Sequence, residues 1–185
     1  MSAPRLALFL LAAALSACGA HVHTDFDPQA DFGAYRTWAW LAEKSTPTGD
    51  VRLDNPMLNE RVQRAIAAEL GARGYQKAEP ARADLRVGYH LALQQKLDAY
   101  TIDHVYGYGP RWGGAMVVPE TVVTTYEEGT LVIDLVDARR DRLAWRGWTS
   151  RRVEPPKDPE ESEKRVREVV SQILAKFPPP VGQGG

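Results

Sequence analysis

Leu85–Leu97 reads LRVGYHLALQQKL, and its alternation decides the fold class. Leu85, Val87, Tyr89, Leu91, Leu93 and Leu97 fall on one side of an extended chain. Arg86, His90, Gln94 and Lys96 fall on the other. Side chains of a strand alternate between two faces, so this pattern predicts a long strand with one buried face and one facing water. A second extended run covers about 119–137, where Leu131, Ile133 and Leu135 alternate with Val132, Asp134 and Val136. Within it, Glu128-Gly129 is a weak turn signal and is read as a bulge rather than a hairpin turn. A polar turn at Asp137–Arg142 leads to a third long strand at Leu143–Val153.

Two helices flank these strands. Asn55-Pro56 places a capping side chain before a proline in the first turn, and Leu58, Val62, Ile66 and Leu70 follow at helical spacing. This predicts a helix over about 56–73, stopped at Gly74. Asp158-Pro159-Glu160-Glu161 combines an acidic cap, a proline and a glutamate three residues after the cap. Val166, Val169, Val170, Ile173, Leu174 and Phe177 then line one side, and Pro178–Pro180 end the helix. Upstream, Val22–Asp27 and Tyr35–Leu41 read as short strands, the second with Trp38 and Trp40 on one face. The order strand, strand, helix, three strands, helix implies a two-layer α+β domain. The expected sheet is an antiparallel meander of long strands, with both amphipathic helices on one face. Glu43–Asp54 reads as loop, Tyr106–Gly114 as a mobile hairpin loop, and Gly182–Gly185 as a fraying tail.

The chain of 185 residues is long enough for one domain. It has 23 Lys and Arg against 24 Asp and Glu, so no basic excess points to nucleic acid. Its one cysteine, Cys18, excludes an internal disulfide. Ahead of it stand Arg5, the ten-residue apolar run Leu6–Leu15, and then Ser16-Ala17. Such a run is half of the ~20 residues a spanning helix needs, and reads as a secretory signal over 1–17. Leu15-Ser16-Ala17-Cys18 resembles the bacterial lipobox at all four positions. Small side chains before the scissile bond admit the peptidase, and the Cys18 thiolate is the nucleophile that takes a diacylglyceryl group. Cleavage between Ala17 and Cys18 leaves a mature domain of 18–185, with 22 basic against 24 acidic residues. The resemblance implies a thioether lipid and an N-acyl chain such as palmitate on Cys18. Two or three chains hold a protein firmly at a membrane at ~0.8 kcal/mol per buried CH₂. With Gly19 in place of an aspartate, the resemblance further implies the outer membrane, with the domain facing the periplasm.

Several further segments occur together in order. They are Thr24–Pro28, Asp31-Phe32, Tyr35–Trp40, Asn55-Pro56, Gly74-Tyr75, Ala83–Leu85, Gly129–Asp134, Trp145–Gly147 and Phe177–Pro179. Across nearly the whole mature chain this set resembles a family of bacterial envelope lipoproteins, the domain of unknown function DUF4136. The resemblance implies an envelope lipoprotein and supplies no catalytic residues.

Candidate chemistry is sparse. His21 and His23 form an H-x-H pair, but they sit beside the anchor with no matching pair elsewhere, so they read as solvated tether and no metal is expected. His104 lies near Asp98 and Asp103 without a motif that supplies a nucleophile, and no catalytic residue or cofactor is assigned. Gly107, Gly109 and Pro110 belong to a segment lacking the lysine and following helix of a phosphate loop. Asp134 and Arg146 fall on one face of neighbouring strands as a cross-strand ion pair. That face also carries Arg86, His90, Val132, Val136, Trp148 and Arg152. Either the N-terminal strands cover it, or it is a binding surface with Trp148 at its centre and Arg86 and Arg146 at its rim. Its ligand would then be an envelope protein or an anionic glycolipid. The expected function is a non-enzymatic, lipid-anchored binding or assembly module. The alternative is a carrier of a lipid-like molecule between sheet and helices.

Overall fold

The computed structural model describes residues 21–41, 48–107 and 115–180, with side chains described outside 103–118. The signal expected over 1–17, Cys18, residues 42–47 of the expected loop, residues 108–114 of the expected hairpin loop and the expected tail at 182–185 lie outside the described residues.

The elements in chain order are β1 (Val22–Phe26), β2 (Thr37–Trp40), α1 (Pro56–Ala72), β3 (Gln76–Lys77), β4 (Leu85–Gly107), β5 (Ala115–Asp137), β6 (Arg142–Arg152) and α2 (Pro159–Leu174). They form an α+β fold with one mixed sheet ordered β1-β6-β5-β4-β2-β3. The meander expected from the long strands holds for β4, β5 and β6, which pair antiparallel in sequence, and β1 adds antiparallel to β6. The purely antiparallel sheet does not hold. β2 pairs parallel with both β3 and β4. The physical reason is α1, which carries the chain back along its length before the next strand begins, so the strands on either side of it run the same way.

Both helix starts follow the sequence. Asn55 accepts a hydrogen bond from the Met57 N–H, and Asp158 from the Glu161 N–H. Gly74 adopts φ +87, the left-handed conformation that ends α1 at low cost to glycine. The expected bulge is displaced. Pairing runs through Leu93↔Gly129 and Gln94↔Glu128 without interruption, and the irregularity lies between Leu135 and Val136, opposite β6.

The core lies between one sheet face and the helices. Val62, Ile66 and Leu70 of α1 and Val170, Ile173 and Leu174 of α2 share it with Leu85, Val87, Leu131, Ile133, Leu135 and Trp145. Trp38, Trp145 and Phe177 are its largest buried side chains, each at 1% exposure or less. Gly147 lets α2 approach β6, because a Cβ there would stand 2.8 Å from Ile173 Cγ2.

Candidate functional site

The register assigns each sheet residue to a face. Leu85, Val87, Leu131, Ile133 and Trp145 meet the helices, and the intervening residues form the opposite face. The N-terminal strands do not lie across that opposite face. β1 extends the sheet beside β6, and β2 extends it beside β4.

The residues proposed there are thus neighbours on one sheet face, and Arg86, Arg146 and Trp148 each have a partner within the chain. Arg146 Nε and Nη2 donate to the two oxygens of Asp134 at 2.6 and 2.7 Å. The Asp134 side chain is 8% exposed, so this pair is far more enclosed than an ordinary surface ion pair. His90 Nε2 approaches Asp134 Oδ2 at 3.6 Å. Side-chain hydrogen bonding to Asp134 raises the Arg146 pKa above its ordinary value despite partial burial. Trp148 is stacked by His23, with ring centroids 5.2 Å apart. His21 meets His23 edge to face at 4.6 Å. Arg86 is paired with Asp141 at 3.0 Å. Arg152 lies 3.7 Å from Asp98 and over the Tyr126 ring at 4.2 Å.

The second site is one that the sequence analysis did not single out. β4 and β5 pair over their full lengths, Leu85↔Asp137 to Gly107↔Ala115. β6 stops pairing with β5 at Glu128↔Arg152. Beyond that point thirteen pairs, Gln95↔Glu127 to Gly107↔Ala115, continue as a two-stranded ribbon. At ~3.4 Å per residue the ribbon adds roughly 44 Å of strand. At its root Arg52, from the loop before α1, grips both oxygens of Glu127 at 2.9 and 2.7 Å.

Past this root, the face continuous with the core carries Leu97↔Thr125, Ala99↔Val123 and Thr101↔Thr121, six residues without an ionisable group. Leu97 is 74% exposed and Val123 60%. Tyr100 and Ile102 add apolar surface on the reverse face. The signal for this feature was the strand-like composition on both sides of the glycine-rich tip. It escaped the alternation test because among the described ribbon residues neither face is buried, so no face is marked by a run of apolar residues.

Other candidates bring less together. A shallow groove between the helix starts is lined by Met57, Glu60, Arg61, Arg64, Glu163 and Arg167 among others. Within it Arg64 and Arg167 both pair with Glu163, and Arg61 donates to the Ser162 hydroxyl. Among the described residues no three His, Cys, Asp or Glu side chains are grouped to hold a metal ion. The side chain of His104 and Cys18 itself lie outside the described residues. No helix among the described residues is long and apolar enough to cross a membrane.

Among solved structures the chain is similar to a PDZ domain protein from Parabacteroides distasonis ATCC 8503, with a TM-score of 0.58 and 15% identity. That match covers 87% of this chain and 36% of the other, so the present chain spans about a third of that protein's length. It is also similar to a PelC dodecamer from Paraburkholderia phytofirmans, with a TM-score of 0.42, 11% identity, and coverage of 85% and 96%. No curated protein sequence matches. The family model for the Domain of unknown function DUF4136 matches residues 22–179, from the first strand to the prolines after α2, and the chain belongs to that family.

Proposed function

We propose that this protein is a lipid-anchored envelope module that binds a protein partner through the β4–β5 ribbon and catalyses no reaction of its own. In this reading residues 1–17 are removed, Cys18 carries the lipid, and the domain faces the periplasm from the outer membrane. The observation that carries the reading is the ribbon, with Leu97, Tyr100 and Val123 held in water beyond the end of the helical layer. An isolated two-stranded ribbon is marginally stable in water, and exposed apolar surface of this kind marks contact sites.

Two observations favour a protein partner over the other ligands considered. The space between sheet and helices is filled by Trp38, Trp145 and Phe177, so lipid carriage would require the layers to separate. The arginines suggested for an anionic glycolipid, Arg86 and Arg146, are already neutralised by Asp141 and Asp134.

A photo-crosslinking residue at Leu97 or Val123, activated in intact cells, tests the reading. A discrete adduct from these positions and none from exposed Met57 supports it. Equal labelling at all three, or none, removes it. Cys18→Ser tests the anchor separately, and its loss from the membrane fraction is the expected result.

A further inference from the structure

We propose that the free edge of β4 pairs with β4 of a second copy, antiparallel about a two-fold axis at Tyr100, so that two ribbons become one four-stranded sheet. This rests on the reading of the ribbon as a contact element and names its partner.

The backbone identifies the edge. The Leu41 N–H donates to the Val87 carbonyl at 2.8 Å, so Val87 turns its peptide groups away from β5. Strand alternation gives the same outward direction to Gln95, Leu97, Ala99 and Thr101. Among the described residues no strand pairs with β4 beyond that point. These N–H and C=O groups form a template for another strand.

The two ribbon edges differ. The Val153 N–H donates to the Glu127 carbonyl at 2.8 Å, which turns odd-numbered residues of β5 toward its outer edge. Pro119 falls on that edge and has no N–H to offer there, a common protection of an edge strand. The β4 edge has no such device from Leu97 to Ile102. That stretch, Leu-Asp-Ala-Tyr-Thr-Ile, contains one charge, no proline and no glycine.

A second copy fits this edge. With the axis at Tyr100, Asp98 faces Ile102 of the other copy rather than a second Asp98, and Arg152 within its own chain already answers its charge. Ala99 and Thr101 then exchange outward hydrogen bonds between copies. The result has four strands, above the three that a sheet needs for independent stability, and uses no other chain.

The test uses the full-length chain, made in a bacterial host and extracted in mild detergent. Tyr100→Cys should give a reducible dimer on mild oxidation, because non-hydrogen-bonded neighbours across antiparallel strands lie within disulfide reach. Val122→Cys, on the same face but one strand inward, should not exceed the parent, whose only cysteine is Cys18. Ala99→Pro removes an outward N–H and no bond to β5. It should halve the sedimented protein mass while circular dichroism is unchanged. Tyr100→Cys dimer no greater than the parent's, or an Ala99→Pro mass equal to the parent's, overturns self-pairing. If self-pairing fails while the crosslinker at Leu97 captures a different protein in cells, the ribbon still binds a partner and only this inference falls. If both fail, both readings fall.

Discussion

The Tyr35 hydroxyl donates a 2.8 Å hydrogen bond to Asp137 Oδ2, joining residues 102 positions apart in a buried contact. Asp137 also accepts from the Arg139 and Arg140 N–H groups. This carboxylate therefore fixes the β5–β6 turn and holds the segment before β2 against it. Burial and the neighbouring Asp137 push the Tyr35 pKa well above that of an ordinary tyrosine. Tyr35→Phe should lower unfolding free energy by about 1.5–3 kcal/mol, the usual range for a hydrogen bond to a charged group. Urea titration measures it, and an unchanged midpoint would show that the bond contributes nothing net.

Acid should weaken the fold through Asp84 and Asp137. Burial raises the pKa of each, but hydrogen bonds outweigh it. For Asp84 these come from the Arg36 N–H and from the Thr37 hydroxyl and N–H, with the Arg139 charge beside them. For Asp137 they come from Arg140, Tyr35 and Arg139. Both therefore sit below the ordinary 3.8. A carboxylate with a lower pKa when folded contributes stability that is complete above the unfolded value and disappears as pH falls through the folded one. Stability measured by urea at stepped pH should fall below about 3.8, and Asp84→Asn should flatten that fall.

Gly147→Ala should destabilise by about 1–3 kcal/mol through overpacking. The added methyl would press on Trp145 and Ile173, both fully buried, so neither can swing aside. Thermal unfolding of the variant checks this.

Arg146→Ala should cost about 1.5–3 kcal/mol, because it leaves the enclosed Asp134 carboxylate, among the described residues, with His90 as its one remaining ion-pair partner. Asp134→Asn added to Arg146→Ala should recover part of the loss, since no charge is then left unpaired. Trp148→Ala should cost less, about 0.5–1.5 kcal/mol, for the stacked His23 ring. Equal losses for Arg146→Ala and Trp148→Ala would contradict this account of the surface.

The two helices, the core residues and the consecutive antiparallel strands were legible because each has a buried face that sets a period. The same logic explains what was not. The parallel pairing of β2 depends on how α1 returns the chain, which four residues of strand do not encode. β3 is two residues long and too short for any period. From Leu97 to Ile102 both alternating sets of side chains are exposed, so no period marks the strand there, and Leu97 reads as the end of a strand that continues to Gly107. Arg146 and Asp134 were paired correctly from register, but their enclosure depends on neighbours that spacing alone does not reveal.

The position of β1 beside β6 has a consequence for how the molecule is made. The Thr149 hydroxyl donates to the His21 carbonyl across 128 residues, and the whole of β1 depends on partners from that late segment. During synthesis the first strand to emerge must therefore wait, unpaired, until nearly the entire chain has followed it. Contacts this distant in sequence close slowly. Truncation anywhere before residue 145 would deprive the N-terminal strand of its berth and give proteases an opening at the start of the domain.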